Sequence, residues 1–110
     1  MDSFDPKAAP FALFQPAALR DALAANSVIL VDVREREEFA AARIEGAENL
    51  PLSSFDPSAL PAGEVVLLCA VGKRSRIAGN MCAAAGIPVY GHLEGGLNAW
   101  MREGLPVLRG

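Results

Sequence analysis

The stretch Val65-Val66-Leu67-Leu68-Cys69-Ala70-Val71-Gly72-Lys73-Arg74-Ser75 decides the fold. Its first five residues are a short, continuous apolar run, the pattern of a strand covered on both faces. Gly72 interrupts the run, and Arg74 to Ala85 has the composition of a helix that Gly86 closes. A strand, a tight loop and a helix N-terminus in that order form the unit of a parallel α/β sheet, whose ligands bind beyond the C-terminal ends of the strands.

Toward the N-terminus, Ser27 to Val33 repeats the buried-strand pattern and predicts a second central strand. Before it, Pro10 to Gln15 predicts a short strand, and Pro16 to Ala25 a helix with proline in its first turn that stops at Asn26-Ser27. After it, Arg34 to Ala42 predicts a short solvent-facing helix anchored by Phe39, and Ala47 to Leu50 another short strand. Pro51 to Gly63 is a connection with one helical turn around Ser58-Ala59-Leu60. Toward the C-terminus, Pro88 to Leu93 predicts the last strand and Gly95 to Glu103 the last helix, packed through Trp100, before Gly104-Leu105-Pro106 ends the pattern. The expected architecture is a three-layer α/β domain with a mainly parallel five-stranded sheet and helices on both faces. One domain over residues 1–110 is expected, because 110 residues leave no room for a second core of ordinary size.

Composition narrows the function. Thirteen acids against ten bases give a net charge of −3, which points away from nucleic acid. The longest apolar runs fall far short of the roughly 18 residues of a membrane span. The start Met1-Asp2-Ser3-Phe4-Asp5-Pro6 carries acids where a secretory signal carries bases, so a cytoplasmic location is expected. Two cysteines thirteen apart and one histidine offer no local metal-binding spacing. No apolar patch or heptad is legible, so a monomer is the default.

Chemistry concentrates at Cys69, placed where a strand hands over to a helix. Backbone N–H groups of such a loop and the helix dipole converge on the sulfur and favour its thiolate form. Lys73 and Arg74 add two full positive charges, and Gly72 permits the positive φ that small anion-binding loops use. The arrangement suits an anionic substrate. The alternative is a cysteine that simply fills the strand end, with both bases solvated.

Three motifs carry a resemblance. Cys69-Ala70-Val71-Gly72-Lys73-Arg74-Ser75 is similar to the active-site loop Cys-x-x-Gly-x-Arg-Ser of rhodanese-type sulfurtransferases. Val31-Asp32-Val33-Arg34, with Glu38-Phe39 and Ile44-Glu45-Gly46-Ala47-Glu48-Asn49-Leu50-Pro51, resembles the upstream signature of that family. Leu93-Glu94-Gly95-Gly96-Leu97-Asn98-Ala99-Trp100 resembles the downstream one, and together the motifs mark a core of residues 28–103. The pair Ala42-Arg43 stands where many relatives have Gly-His, outside the sulfur-binding loop.

The resemblance implies transfer of sulfane sulfur. Cys69 would attack thiosulfate or another persulfide donor, carry a persulfide, and pass the sulfur to cyanide, a thiol or a protein acceptor, with neither metal nor organic cofactor. Ala70, Val71, Gly72, Lys73, Arg74 and Ser75 would hold the anion, while Asp32 and Arg34 would brace the loop by an ion pair or hydrogen bonds. Two other readings share the fold: a sulfur-relay carrier with the same chemistry at Cys69, and a non-catalytic binding module. Phosphatases and arsenate reductases of this fold use Cys-x5-Arg, but here the sixth position after Cys69 is Ser75. Cys82, on a helix face with Ala78 and Ala85, is expected to be a buried structural thiol. His92 is expected to be structural or exposed, and the mixed run Arg34-Glu35-Arg36-Glu37-Glu38 a solvated helix face.

Overall fold

The computed structural model describes residues 11–110. Its chain order is β1 (Ala12–Phe14), α1 (Pro16–Ala24), β2 (Ile29–Asp32), α2 (Arg36–Ala41), β3 (Ala42–Arg43), β4 (Glu48–Asn49), β5 (Val65–Leu68), α3 (Lys73–Ala84), β6 (Gly91–Leu93), α4 (Gly96–Arg102) and β7 (Leu108–Arg109). Two 3-10 turns, Leu52–Ser54 and Pro57–Ala59, lie between β4 and β5. Every strand and helix expected from the sequence is present, with shorter ends except that α3 starts one residue early at Lys73; Pro10 lies outside the described residues.

Five strands form one sheet in the order β1-β6-β5-β2-β4, and all four pairings are parallel. β2 and β5 form its centre, with Ile29 to Asp32 in register with Val65 to Leu68. Alternate side chains on these strands supply two separate cores, as period-two geometry requires. Leu30, Val66 and Leu68 face one way, with Leu19 of α1 and Leu97 and Trp100 of α4. Val31, Val65, Leu67 and Cys69 face the other, with Ala78 of α3 and residues of the β4–β5 connection packed on them. Helices therefore cover both faces, and the continuous apolar runs of β2 and β5 follow from that double burial.

One element escapes the expected pattern. β3 and β7 form a two-stranded antiparallel ribbon, Ala42 opposite Arg109 and Arg43 opposite Leu108. Two-residue strands with an exposed partner carry no alternation long enough to register as β structure in sequence. Among the described residues no helix is long and apolar enough to cross a membrane.

Candidate active site

Cys69 directly follows β5 and is fully buried. The chain then turns through Ala70 and Val71, reaches Gly72 at φ +99°, and enters α3 at Lys73. A left-handed Gly72 lets the loop reverse within three residues and brings its own N–H back onto the cysteine, donating to Sγ at 3.1 Å. The first helical hydrogen bond runs from Arg76 N–H to Gly72 O, which leaves the preceding N–H groups of α3 free of intrahelical partners. The helix thus presents its partial positive end to the loop.

A second helix holds the loop from the other side. Leu97 N–H donates to Cys69 O at 2.8 Å and Asn98 N–H to Ala70 O at 3.0 Å, so the first turn of α4 fixes the carbonyls while α3 fixes the amides. Gly96, at φ +62°, makes this approach possible: a Cβ there would lie 2.4 Å from Cys69 O and 2.5 Å from Ala70 C and O.

The basic residues differ in their availability. Arg74 is forked onto Glu38, Nη1 to Oε1 at 2.7 Å and Nη2 to Oε2 at 2.9 Å, so its charge is already matched by α2. Lys73 and Arg76 line a cleft beside the loop with Val71, Gly72, His92, Glu94 and Gly95. Arg76, which sequence reasoning passed over, belongs to the site's surroundings because it sits one turn beyond Gly72 on α3.

Glu38 is held down to about 2 by its hydrogen bonds to the Arg74 guanidinium, against an opposing effect of burial, with a further contribution from the Glu35 backbone N–H. A carboxylate whose ionisation is favoured by folding stabilises the protein above its unfolded value of 4.5, and the contribution fades as pH falls from there toward 2. The Glu38 side chain is 38% exposed, so solvent screening limits the pair to about 1 kcal/mol. Glu38→Gln should therefore lower stability by about that amount at pH 7, with the deficit shrinking steadily below pH 5; urea unfolding at a series of pH values measures it.

Asp32 and Arg34 form a buried pair, 0% and 4% exposed. Arg34 Nη2 donates to Asp32 Oδ2 at 2.8 Å, and the Arg34 backbone N–H to Oδ1 at 2.9 Å. Arg34 Nε donates to both Asp32 carboxylate oxygens at 3.1 Å, Nη1 to Glu38 O at 3.2 Å and Nη2 also to Ala42 O at 2.6 Å. The pair thus ties down the middle and the C-terminal end of α2 and reaches the Cys69 loop through Glu38 and Arg74. The charge run after Arg34 is a helix start: Glu35 and Glu38 cap α2 reciprocally, and Ser53 Oγ donates to Glu35 Oε1 at 2.6 Å.

His92 is neither exposed nor without a partner. It is 2% exposed on β6, with Nδ1 2.9 Å from Ser75 Oγ. That hydroxyl lies 3.2 Å from Gly72 O and 3.6 Å from Cys69 Sγ. Strand alternation carried the missed signal: Leu93 packs toward α1 and α4, so its neighbour His92 must face α3. Cys82 is buried with Ala78, and burial pushes its thiol up; Ala85, just past the end of α3, is exposed.

Residues 15–103 match the Rhodanese-like domain model. An uncharacterised Synechocystis protein, slr1261, is 43% identical over 97 residues, and the chain spans about half (54%) of its length while 86% of the chain is covered. A sulfurtransferase of Allochromatium vinosum is 39% identical over 89 residues, covering 76% of this chain and 80% of the relative. The human thiosulfate:glutathione sulfurtransferase is 30% identical over 102 residues, covering 77% and 89%. Among solved structures, a rhodanese-related protein of Thermoplasma volcanium superposes with a TM-score of 0.79 at 27% identity, over 89% of this chain and 98% of that one. A family model matched across four-fifths of the chain, with a sulfurtransferase relative at 39% identity and a rhodanese-related structure superposing at a TM-score of 0.79, makes this protein a member of the rhodanese-like sulfurtransferase family.

Proposed function

We propose that the protein moves sulfane sulfur from thiosulfate, or another persulfide donor, to cyanide or a thiol through a persulfide on Cys69. The observation that carries the reading is the Gly72 N–H donated to Cys69 Sγ at the N-terminus of α3, a setting that suits an anionic sulfur. The thiolate attacks the outer sulfur of thiosulfate; a new S–S bond forms, the old one breaks, and sulfite leaves with its electron pair. Total charge is conserved, so no proton or redox partner is needed in this half-reaction. The persulfide, also an anion, occupies the ground the thiolate held, with the free amides at the start of α3 able to follow the charge outward.

In the second half-reaction the acceptor attacks the terminal sulfur and the Cys69 thiolate leaves, giving thiocyanate from cyanide or a persulfide from a thiol. Lys73 and Arg76 border the cleft with no ion-pair partner among the described residues, and they supply the attraction for the donor's sulfonate end. Arg74 serves chiefly to join the loop to α2. The test is intact-mass measurement after incubation with thiosulfate: a gain of one sulfur, about 32 Da, that cyanide removes as thiocyanate supports the reading. No gain from thiosulfate or from a loaded persulfide donor overturns it.

A further inference from the structure

The side chain of His92 sits at an interior position of the sheet, on a strand paired with both β1 and β5. Its ring is packed edge-on against Phe11, centroids 5.2 Å apart at 83°. Nδ1 meets Ser75 Oγ, and Nε2 is the one buried side-chain nitrogen or oxygen among the described residues with no hydrogen-bond partner. A buried polar atom left unpaired costs on the order of 1–3 kcal/mol, so its presence beside the reactive loop calls for a reason.

The reason lies in proton counting along Cys69, Ser75 and His92. A hydroxyl has one hydrogen to give, and a neutral imidazole has one donor and one acceptor nitrogen. With Cys69 as a thiol, S–H donates to Ser75 Oγ, Ser75 O–H turns from Gly72 O, 3.2 Å away, to the nearer His92 Nδ1 at 2.9 Å, and the ring proton sits on Nε2. With Cys69 as a thiolate or persulfide, Ser75 O–H turns to the sulfur, Oγ receives Nδ1–H, and Nε2 is bare. The two states differ by one proton, lost from the chain to solvent, and the balance closes. A fixed partner on Nε2 would lock one tautomer and oppose one of the two states.

We propose that His92 is a positioning residue that aims the Ser75 hydroxyl, accepting from it when Cys69 is a thiol and donating to it when the sulfur carries charge. The inference rests on Cys69 as the reactive centre. The surroundings favour the neutral ring: burial lowers its proton affinity, Arg76 on α3 lowers it further, and Glu94 just past β6 opposes them. Lys73 borders the same cleft. Phe11, ahead of β1, packs on the ring without a charge, and the group from the β5 side is Cys69 itself.

The full chain labelled with 15N, in a Cys82→Ala background, gives the direct test. Imidazole nitrogen shifts of the neutral ring should report Nε2–H while Cys69 is a thiol and Nδ1–H once it is a thiolate, changing together with the ultraviolet signal of Cys69 ionisation. One tautomer across that transition overturns the proposal. Iodoacetamide alkylation of Cys69 against pH is the second readout. His92→Phe removes the donor and should move the midpoint to higher pH, slowing alkylation at neutral pH by about tenfold, the scale of one charge-assisted hydrogen bond. His92→Asn, whose amide can present N–H or C=O, should stay within about threefold of the parent. A folded His92→Phe with an unchanged midpoint, or an Asn variant as slow as Phe, overturns it; if the Phe variant fails to fold, the tautomer measurement decides. Both readouts follow the thiol alone, so failed sulfur uptake with an intact tautomer change would overturn only the sulfur-transfer reading.

Discussion

Cys69→Ala should abolish sulfur loading and lower thiocyanate formation by at least about 10³-fold, while the protein stays folded. The loss is complete because the intermediate is a covalent bond to this sulfur, and no other group in the loop can replace it. Ser75 Oγ, 3.6 Å away, is a neutral hydroxyl hydrogen-bonded to His92 Nδ1 and Gly72 O, and a hydroxyl is a far weaker nucleophile than a thiolate. Cys69→Ser should be as inactive as Cys69→Ala, since a hydroxyl does not ionise near neutral pH. The fold survives because the change removes one atom from a core that keeps Val31, Val33, Val65 and Leu67, a cost of about 1 kcal/mol, or roughly 4–8 °C in Tm. Cys82→Ala is the matching control: Cys82 is buried in α3 and its thiol is pushed up by burial, so loading should be retained. Loading that survives Cys69→Ala and disappears in Cys82→Ala would place the chemistry on the wrong cysteine.

What the sequence made legible was what local pattern controls. Val65 to Leu68 and Ile29 to Asp32 lie at the centre of a parallel sheet, so every residue in them is apolar or pairs internally, and the runs are unmistakable. The loop at Cys69 was legible for a related reason: the break at Gly72 is local, and the structure meets it with a positive φ. Long-range pairings were not legible. Glu38 and Arg74 are 36 positions apart and meet only because β2 and β5 are neighbours, carrying α2 and α3 to the same end of the sheet. Ser75 and His92 meet across β5 and β6 in the same way. The β3–β7 ribbon joins two dipeptides whose paired residues lie 67 and 65 positions apart, and nothing in either fixes the other. The residues that surround the sulfur came from motifs; the residues that hold those residues came from topology.

Gly96→Ala should be the most damaging single-methyl change, because it pushes the two supports of the loop apart. Alanine can reach φ +62° only at a cost of about 1–2 kcal/mol. Its methyl would then sit 2.4–2.5 Å from Cys69 O and from Ala70 C and O, which are backbone atoms with nowhere to rotate. Relief requires α4 to withdraw from the loop, stretching the Leu97 and Asn98 hydrogen bonds to those same carbonyls, worth about 1 kcal/mol each. The sum is about 3–4 kcal/mol, or a fall of roughly 12–30 °C in Tm for a domain of this size. Gly104→Ala separates strain from clash: Gly104 has φ +76° but open space where a Cβ would go, so only the backbone cost of about 1–2 kcal/mol applies. Among folded molecules, Gly96→Ala should also load sulfur more slowly, because a loop pushed off α4 no longer aims its amides at Cys69. Gly104→Ala should load at the parent rate. Equal stability losses in the two variants would show that the contact between α4 and the loop is looser than the geometry states, and that the carbonyls of Cys69 and Ala70 do not hold the site in shape.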